Sequence, residues 1–384
     1  APNDRENVAA IEAAAEDLSR AAANKDGTVA KGARHVSDLL KRLAGSDAGA
    51  RARAEAALGP ALVYDLDLLR KSLAPQLITI NTLPQNDIAS LKNNAVLIGV
   101  YQPLYNFVTM KEWASKNIST FSLDTIPRTT RAQSMDVLSS QANIAGYRAV
   151  LLASTLFPRY FPMFMTAAGS IPPAKVLILG AGVAGLQAIA TAKRLGAVIE
   201  VFDTRPAVKE EVMSLGAKFV EVEGAADASK AGGYAVEQTE EYKQKQQARI
   251  AEAVAKADII ITTAQIPGKK APILLTEAMI GSLKNGSVII DLAAATGGNT
   301  PLTKNNETIV TANGVTILGN SNLPGGMPFD ASKMYGKNVL NFLQLIITKE
   351  GTINLNFDDD IVKGCCITYN GELVNDRVKG LLVN

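Results

Sequence analysis

The sequence predicts an α/β protein, and two features carry that prediction. One is the stretch Lys175–Asp203, KVLILGAGVAGLQAIATAKRLGAVIEVFD, which reads as strand, glycine turn, helix and strand. The other is a series of short apolar runs, from Leu77–Ile80 to Val315–Gly319, alternating with helical segments, the pattern of a parallel sheet covered on both faces. With 384 residues the chain is long enough for two domains. Together these give two Rossmann-like parallel-sheet domains separated by a cleft, residues 1–140 with 331–384 forming the first and 141–330 the second.

The central stretch is the most informative. Val176–Leu179 is continuously apolar, as a strand buried on both faces must be. Gly180, Gly182 and Gly185 follow at G-x-G-x-x-G spacing. The first permits a sharp turn, the second lets a pyrophosphate approach the backbone, and the third lets the next helix pack close with its N-terminal N–H groups facing the anion. The following strand, Val198–Phe202, ends at Asp203, where a carboxylate can accept from an adenosine ribose and repel a 2′-phosphate. This favours NAD over NADP, although Arg205 nearby is a residue that can accommodate a 2′-phosphate.

Composition narrows the alternatives. A hydrophobic fraction of 47% supports sizeable cores, and a net charge of +2 gives no electrostatic reason to expect nucleic acid. The two cysteines, Cys365 and Cys366, are adjacent and read as structural thiols in a reducing compartment. A single histidine, His35, excludes a multi-histidine metal site; no metal is expected. No signal peptide is visible, and the opening Ala-Pro-Asn suggests a processed or excised fragment. The most apolar window, Val150–Ala168, contains Pro158, Arg159 and Pro162, so no transmembrane segment is expected and the chain reads as soluble.

In chain order, residues 1 to about 60 are rich in alanine and charge and read as helices over Asn3–Ala23, Ala33–Leu43 and Ala50–Leu58, with His35 at a surface or cap. Strands are expected at Leu77–Ile80, Ala95–Tyr101 and Ile118–Leu123, with a helix at Met110–Ser115. Next, Pro127 stops the third strand, and a loop with two arginines, Arg128 and Arg131, leads into a helix. On that helix Gln133, Asp136, Ser140 and Asn143 fall on one face, a polar stripe that faces a cleft or a partner, or serves helix capping and internal hydrogen bonds. Thr166–Gly169 and Pro172-Pro173 form a turn into the glycine motif. Beyond Asp203, residues Gly224–Glu240 read as a long small-residue loop, either a lid whose Tyr234 closes on a ligand or a surface turn. Strands follow at Ile259–Thr263, Val288–Leu292 and Val315–Gly319, then a helix over Ala331–Ile347 and a short β tail over Ile353–Leu373.

Several segments together, PRTTRAQSMDVLSSQANIAGYRAV, TAAGSIPPAKVLILGAGVAGLQAIATAKRLGA, FDTRPAVKEEV, GGYA, ADIIITTAQIPGKKAP and GSVIIDLAAATGGN, resemble the NAD(H)-binding domain (domain I, alpha-subunit type) of proton-translocating NAD(P) transhydrogenase. The similarity runs from about Ile78 to the C-terminal tail; residues 1–77 do not match, and Gly326 stands where the family commonly places arginine. The resemblance implies that Arg128, Gln133, Asp136 and Ser139 hold the nicotinamide end of NADH, with Gln133 placing it against the NADP ring. It implies a cofactor-binding set of Gly180, Gly182, Val183, Gly185, Asp203, Thr204, Arg205, Gly233, Tyr234, Gln246 and Gln265. It further implies a homodimer peripheral to a membrane on its cytoplasmic or matrix side, with an NADP-binding domain and a membrane proton-channel domain as partners.

The implied chemistry suits these residues. Hydride transfer between two nicotinamide rings releases no proton, so the protein must supply placement, with reacting atoms roughly 3–3.5 Å apart and water excluded, rather than a general base. The alternative is a soluble amino-acid dehydrogenase of the alanine dehydrogenase type, a family that uses a histidine and a lysine in its first domain. The strand Ala95–Tyr101 and the Gln102-Pro103 after it carry neither. A non-catalytic NAD-binding module is a third reading.

Overall fold

The computed structural model describes residues 76–83, 87–88, 91, 94–224, 239–348 and 353–381. The helices expected over Asn3–Leu58, His35, and the loop residues Gly233 and Tyr234 lie outside the described residues. The chain divides into two compact units. One takes the described residues up to Tyr101 with Val108–Ser122 and Cys366–Lys379; the other takes Gln102–Phe107, the described residues between Leu123 and Cys365, and Gly380 and Leu381.

In the first unit, strands Gln76–Ile78, Val96–Gly99 and Ser119–Ser122 pair in parallel. Cys366–Tyr369 then adds antiparallel to the third of these, with Glu372–Leu373 at the edge. Val96–Gly99 is buried throughout, which is why it reads as an unbroken apolar run. Tyr101 packs edge-to-face on Trp113 at 5.2 Å, and its hydroxyl meets Thr79 Oγ1 at 2.9 Å. The C-terminal segment is not purely β: a short helix, Asp360–Cys365, precedes the strand. Cys365 and Cys366 are both buried, and burial pushes the Cys366 thiol up to about 12.

The second unit is built on a seven-stranded sheet. From one edge its strands run Lys218–Phe219, Val198–Phe202, Lys175–Leu179, Ile259–Thr262, Val288–Asp291, Thr316–Leu318 and Thr308–Val310. All neighbours are parallel except the last pair. Strand residues alternate between two cores, as the pleat requires. Val176 and Ile178 join Ala149, Ala153, Ala188 and Ile189 on one face, while Leu177 and Leu179 join Ile250, Val254 and Ile280 on the other. The strand order reverses between Lys175–Leu179 and Ile259–Thr262, the switch point at which open α/β sheets bind ligands beyond their carboxyl ends.

Three elements differ from the sequence expectation. The turn before the glycine motif is a β-hairpin, Phe164–Thr166 paired with Gly169–Ile171. The late helix begins at Pro328 rather than Ala331, because proline is well suited to a first helical turn, and it runs to Ile346. The stripe from Gln133 to Asn143 does not lie on one helix, for the reason given next.

Candidate functional site

The glycine turn follows from backbone sterics. Gly180 has φ of +110°, open to glycine and strained for other residues. A β-carbon on Gly185 would lie 1.9 Å from the Gly180 carbonyl oxygen, so that position is closed by packing. A β-carbon on Gly182 would meet nothing within 4 Å, so that position faces open space at the start of helix Val183–Arg194. Gly146 lets helix Val137–Leu156 press against the same turn: its β-carbon would lie 2.1 Å from the Ala184 carbonyl oxygen.

Asp203 closes strand Val198–Phe202 and is buried, accepting from the Ala181 N–H of the glycine turn and from Arg205. Thr204 is half-buried beside it. Thr239 caps helix Glu240–Val254 by accepting from the Tyr242 N–H, and Tyr242 and Gln246 sit buried one turn apart on that helix. Burial, and secondarily the charge of Asp203, raises the Tyr242 phenol above its usual value. Tyr242 was not anticipated; its four-residue spacing from Gln246 is the signal that sequence offers. Gln265 is exposed and donates to the Leu292 carbonyl at 2.9 Å. Behind it the buried Asp291 accepts from the N–H groups of Ala293 and Asn299 and from the Thr303 hydroxyl, shaping the loop after the adjacent strand.

A cavity of about 840 Å³ adjoins the glycine helix, which contributes Val183 and Gln187 to its wall. Gln133, Asp136, Ser139, Ser140 and Asn143 line it too, so the polar stripe does converge on one space. It does so without being one helical face. Thr130–Met135 is a 3₁₀ turn, and Asp136 then takes an extended backbone, φ −73° and ψ 91°. From there Asp136 caps helix Val137–Leu156, accepting from the Ser139 N–H at 2.9 Å and the Ser139 hydroxyl at 2.5 Å. Both readings of the stripe therefore hold at once: these residues cap and they line a cavity. The Gln133 side chain is exposed and makes no hydrogen bond among the described residues. Arg128 is exposed and stands outside the cavity lining.

The opposite wall was missed by sequence reasoning. Helix Pro328–Ile346 supplies Lys337, Asn338 and Asn341. Both asparagine amides donate to the Ser134 carbonyl, at 2.8 and 2.9 Å, and Asn338 Oδ1 accepts from the Ser140 hydroxyl at 2.7 Å. Arg131 completes the anchorage by forking onto Asp359 at 2.6 and 2.8 Å while also touching Asp360. The signal in the sequence was two asparagines three residues apart, on a helix face shared with Asp330, Met334 and Lys337. At Gly326, a β-carbon would stand 3.0 Å from Arg148 Nε, so a side chain there would contend with that guanidinium.

A doubly wound sheet, a glycine turn at its switch point and an acid closing the next strand define a dinucleotide-binding α/β protein. The family description "Alanine dehydrogenase/PNT, C-terminal domain" matches residues 149–376, and the corresponding N-terminal domain matches residues 41–145. The chain belongs to the alanine dehydrogenase/PNT family. The N-terminal match starts well upstream of Ile78, where the motif resemblance began. The chain is 48% identical over 298 residues to the first of the alpha-subunit polypeptides of the NAD(P) transhydrogenase of Rhodospirillum rubrum, covering 77% of each. It is 45% identical over 314 residues to the protein of the same name from Rickettsia prowazekii, covering 82% of this chain and 80% of that one. Among solved structures, the transhydrogenase from Sinorhizobium meliloti superposes with a TM-score of 0.70 at 44% identity, over 78% of this chain and 81% of that one. The resemblance to the transhydrogenase alpha subunit, read from motifs, is borne out.

Proposed function

We propose that this chain is the NAD(H)-binding component of a proton-translocating transhydrogenase, holding NADH for direct hydride transfer to NADP+ on a partner domain. The observation that carries the reading is the continuity of the site: Val183, immediately after the open Gly182, lines the same cavity as Gln133 and Asp136. Gly182 leaves backbone room for a pyrophosphate, Asp203 offers a carboxylate to a ribose, and the amide- and hydroxyl-rich cavity suits a carboxamide-bearing ring. With both nucleotides bound, the chemistry is passage of a hydride from one nicotinamide ring to the other. The chain's own task is placement: Gln133, exposed and uncommitted, would set the ring's position, and Asp136 and Ser139 would fix its carboxamide edge. Asp203 favours NADH over NADPH on this chain.

A homodimer belongs to the same proposal. The hairpin Phe164–Thr166/Gly169–Ile171 exposes Phe164 and Met165, the latter 72% exposed, beside the exposed Met163, with Tyr160 stacked on Phe164 at 5.3 Å. An apolar projection of this kind suits a second copy. No described helix is long and apolar enough to cross a membrane. The proposed location is the cytoplasmic or matrix face, beside a separate channel domain.

The test is a mixing experiment. The chain alone should bind NADH, read by nucleotide fluorescence, yet give almost no turnover. Adding an NADP-binding partner domain should start hydride transfer from NADH to NADP+. NADH binding with no transfer to any such partner would sink the proposal, and robust reduction of NAD by L-alanine would install the amino-acid dehydrogenase reading in its place.

A further inference from the structure

The carboxylate of Asp203 is fully engaged by the protein itself. Its Oδ1 accepts from the Arg205 N–H at 2.8 Å and from Arg205 Nε at 2.9 Å. Its Oδ2 accepts from the Ala181 N–H and from Arg205 Nη2, each at 2.7 Å. A carboxylate offers roughly four lone-pair sites, so these bonds fill it. Two of the donors are main-chain groups fixed by the glycine turn and by the chain leaving its strand. The other two belong to one guanidinium, whose side chain is 19% exposed. A ribose 2′,3′-diol brings two O–H donors, and only the guanidinium positions can be vacated for it.

We propose that Arg205 is a displaceable placeholder for the ribose diol and thereby the nucleotide-selectivity residue of this site. The inference rests on the reading that Asp203 receives the adenosine ribose. Seated on Asp203, Arg205 competes with NADH for both acceptor positions, and apparent affinity falls by the fraction of molecules in which the fork is closed. Swung away, its guanidinium stays two residues from Asp203, at the rim where a 2′-phosphate would sit, and forks readily onto phosphate oxygens. Arg205 therefore weakens NADH and offsets the repulsion that Asp203 directs at NADPH. The two nucleotides are discriminated less sharply than the acid alone would dictate.

The experiment measures NADH and NADPH dissociation constants by fluorescence on the full chain and on R205A, R205K, D203N and D203A, with thermal melts to establish folding. R205A should bind NADH about three- to tenfold tighter, as removal of an internal competitor requires, and should bind NADPH no better than the parent chain. R205K, whose ammonium cannot fork, should fall between and guards against a packing defect in R205A. If R205A and R205K leave NADH affinity unchanged or weaken it while D203A weakens it, the placeholder is refuted and the Asp203 reading survives. If folded D203N and D203A both bind NADH as the parent does, it is the ribose assignment that fails.

Discussion

The two ends of the proposed nucleotide site are built in opposite ways. The adenosine end comes from one continuous stretch, Lys175–Asp203, whose geometry is dictated by backbone contacts: Gly185 against the Gly180 carbonyl, Ala181 N–H on Asp203. The nicotinamide end is assembled from a 3₁₀ turn, the helix behind it, the remote helix Pro328–Ile346 and the acidic pair Asp359 and Asp360. One end is held by what lacks a side chain, the other by side chains some 200 residues away in sequence, as the Asn338–Ser134 separation of 204 shows. The lesson is that binding a phosphate needs close backbone, which short-range sequence can specify, whereas aiming a ring needs a braced turn, which only the tertiary fold supplies.

The sharpest break comes within the glycine motif. G185A forces a β-carbon into a carbonyl that cannot move without dragging the strand, and should destabilise the chain by about 3 kcal/mol or more in chemical denaturation. G182A meets open space and should cost stability only about 1 kcal/mol or less, as a weakened helix start. Yet it should lower NADH affinity about tenfold or more, because the added methyl stands where a pyrophosphate must approach. Equal effects of the two substitutions on stability would mean that the motif has no division of labour.

At the other end, N338A removes a buried amide that bonds both the Ser134 carbonyl and the Ser140 hydroxyl. It should destabilise by about 2 kcal/mol. Hydride transfer with a partner domain should slow about 10- to 100-fold, since roughly 1 Å of misplacement suffices for that. NADH affinity should change less than about threefold, because the adenosine end is untouched. A large affinity loss would show the two ends to be one cooperative structure.

These contrasts explain what could be read from sequence. The glycine spacing, the apolar strands and Asp203 were legible because each obeys a local rule. Gln133, Asp136, Ser140 and Asn143 were legible as a group, but the helical periodicity that grouped them was not their real geometry: the chain breaks at Asp136, which reaches the same cavity as a cap. Asn338 and Asn341 were passed over because an asparagine on a helix face gains meaning only when the carbonyl it serves is known. Tyr242 was hidden likewise inside a charged helix, and Arg205, read as a neighbour able to meet a 2′-phosphate, gave no sign of its fork onto Asp203. Substitution at Asp136 measures that overlap of roles. D136A should cost about 1 kcal/mol as a lost cap, and D136N, which retains an acceptor, well under half of that.

The smallest stability effect should come from the acidic pair that braces the turn. Hydrogen bonding to Arg131 holds the Asp359 carboxyl below its usual range, against the opposing pull of desolvation. A depressed carboxylate contributes stability that is fully present above its unfolded pKa of about 4 and is lost as pH falls through the lower folded value. Arg131 is half exposed, so solvent screens the pair, its contribution to stability is small, and it should be smaller again at 1 M salt. Denaturation midpoints for D359N should therefore lie slightly below those of the parent chain at pH 7, and the gap should close on acidification below about pH 4. Hydride transfer should nevertheless drop several-fold in both R131A and D359N, with NADH affinity retained, because a loosened turn misaims Gln133 without unfolding anything. If transfer is unaffected while the stability gap behaves as described, the asparagine pair alone steadies the turn, and the brace at the nicotinamide end reduces to a single helix.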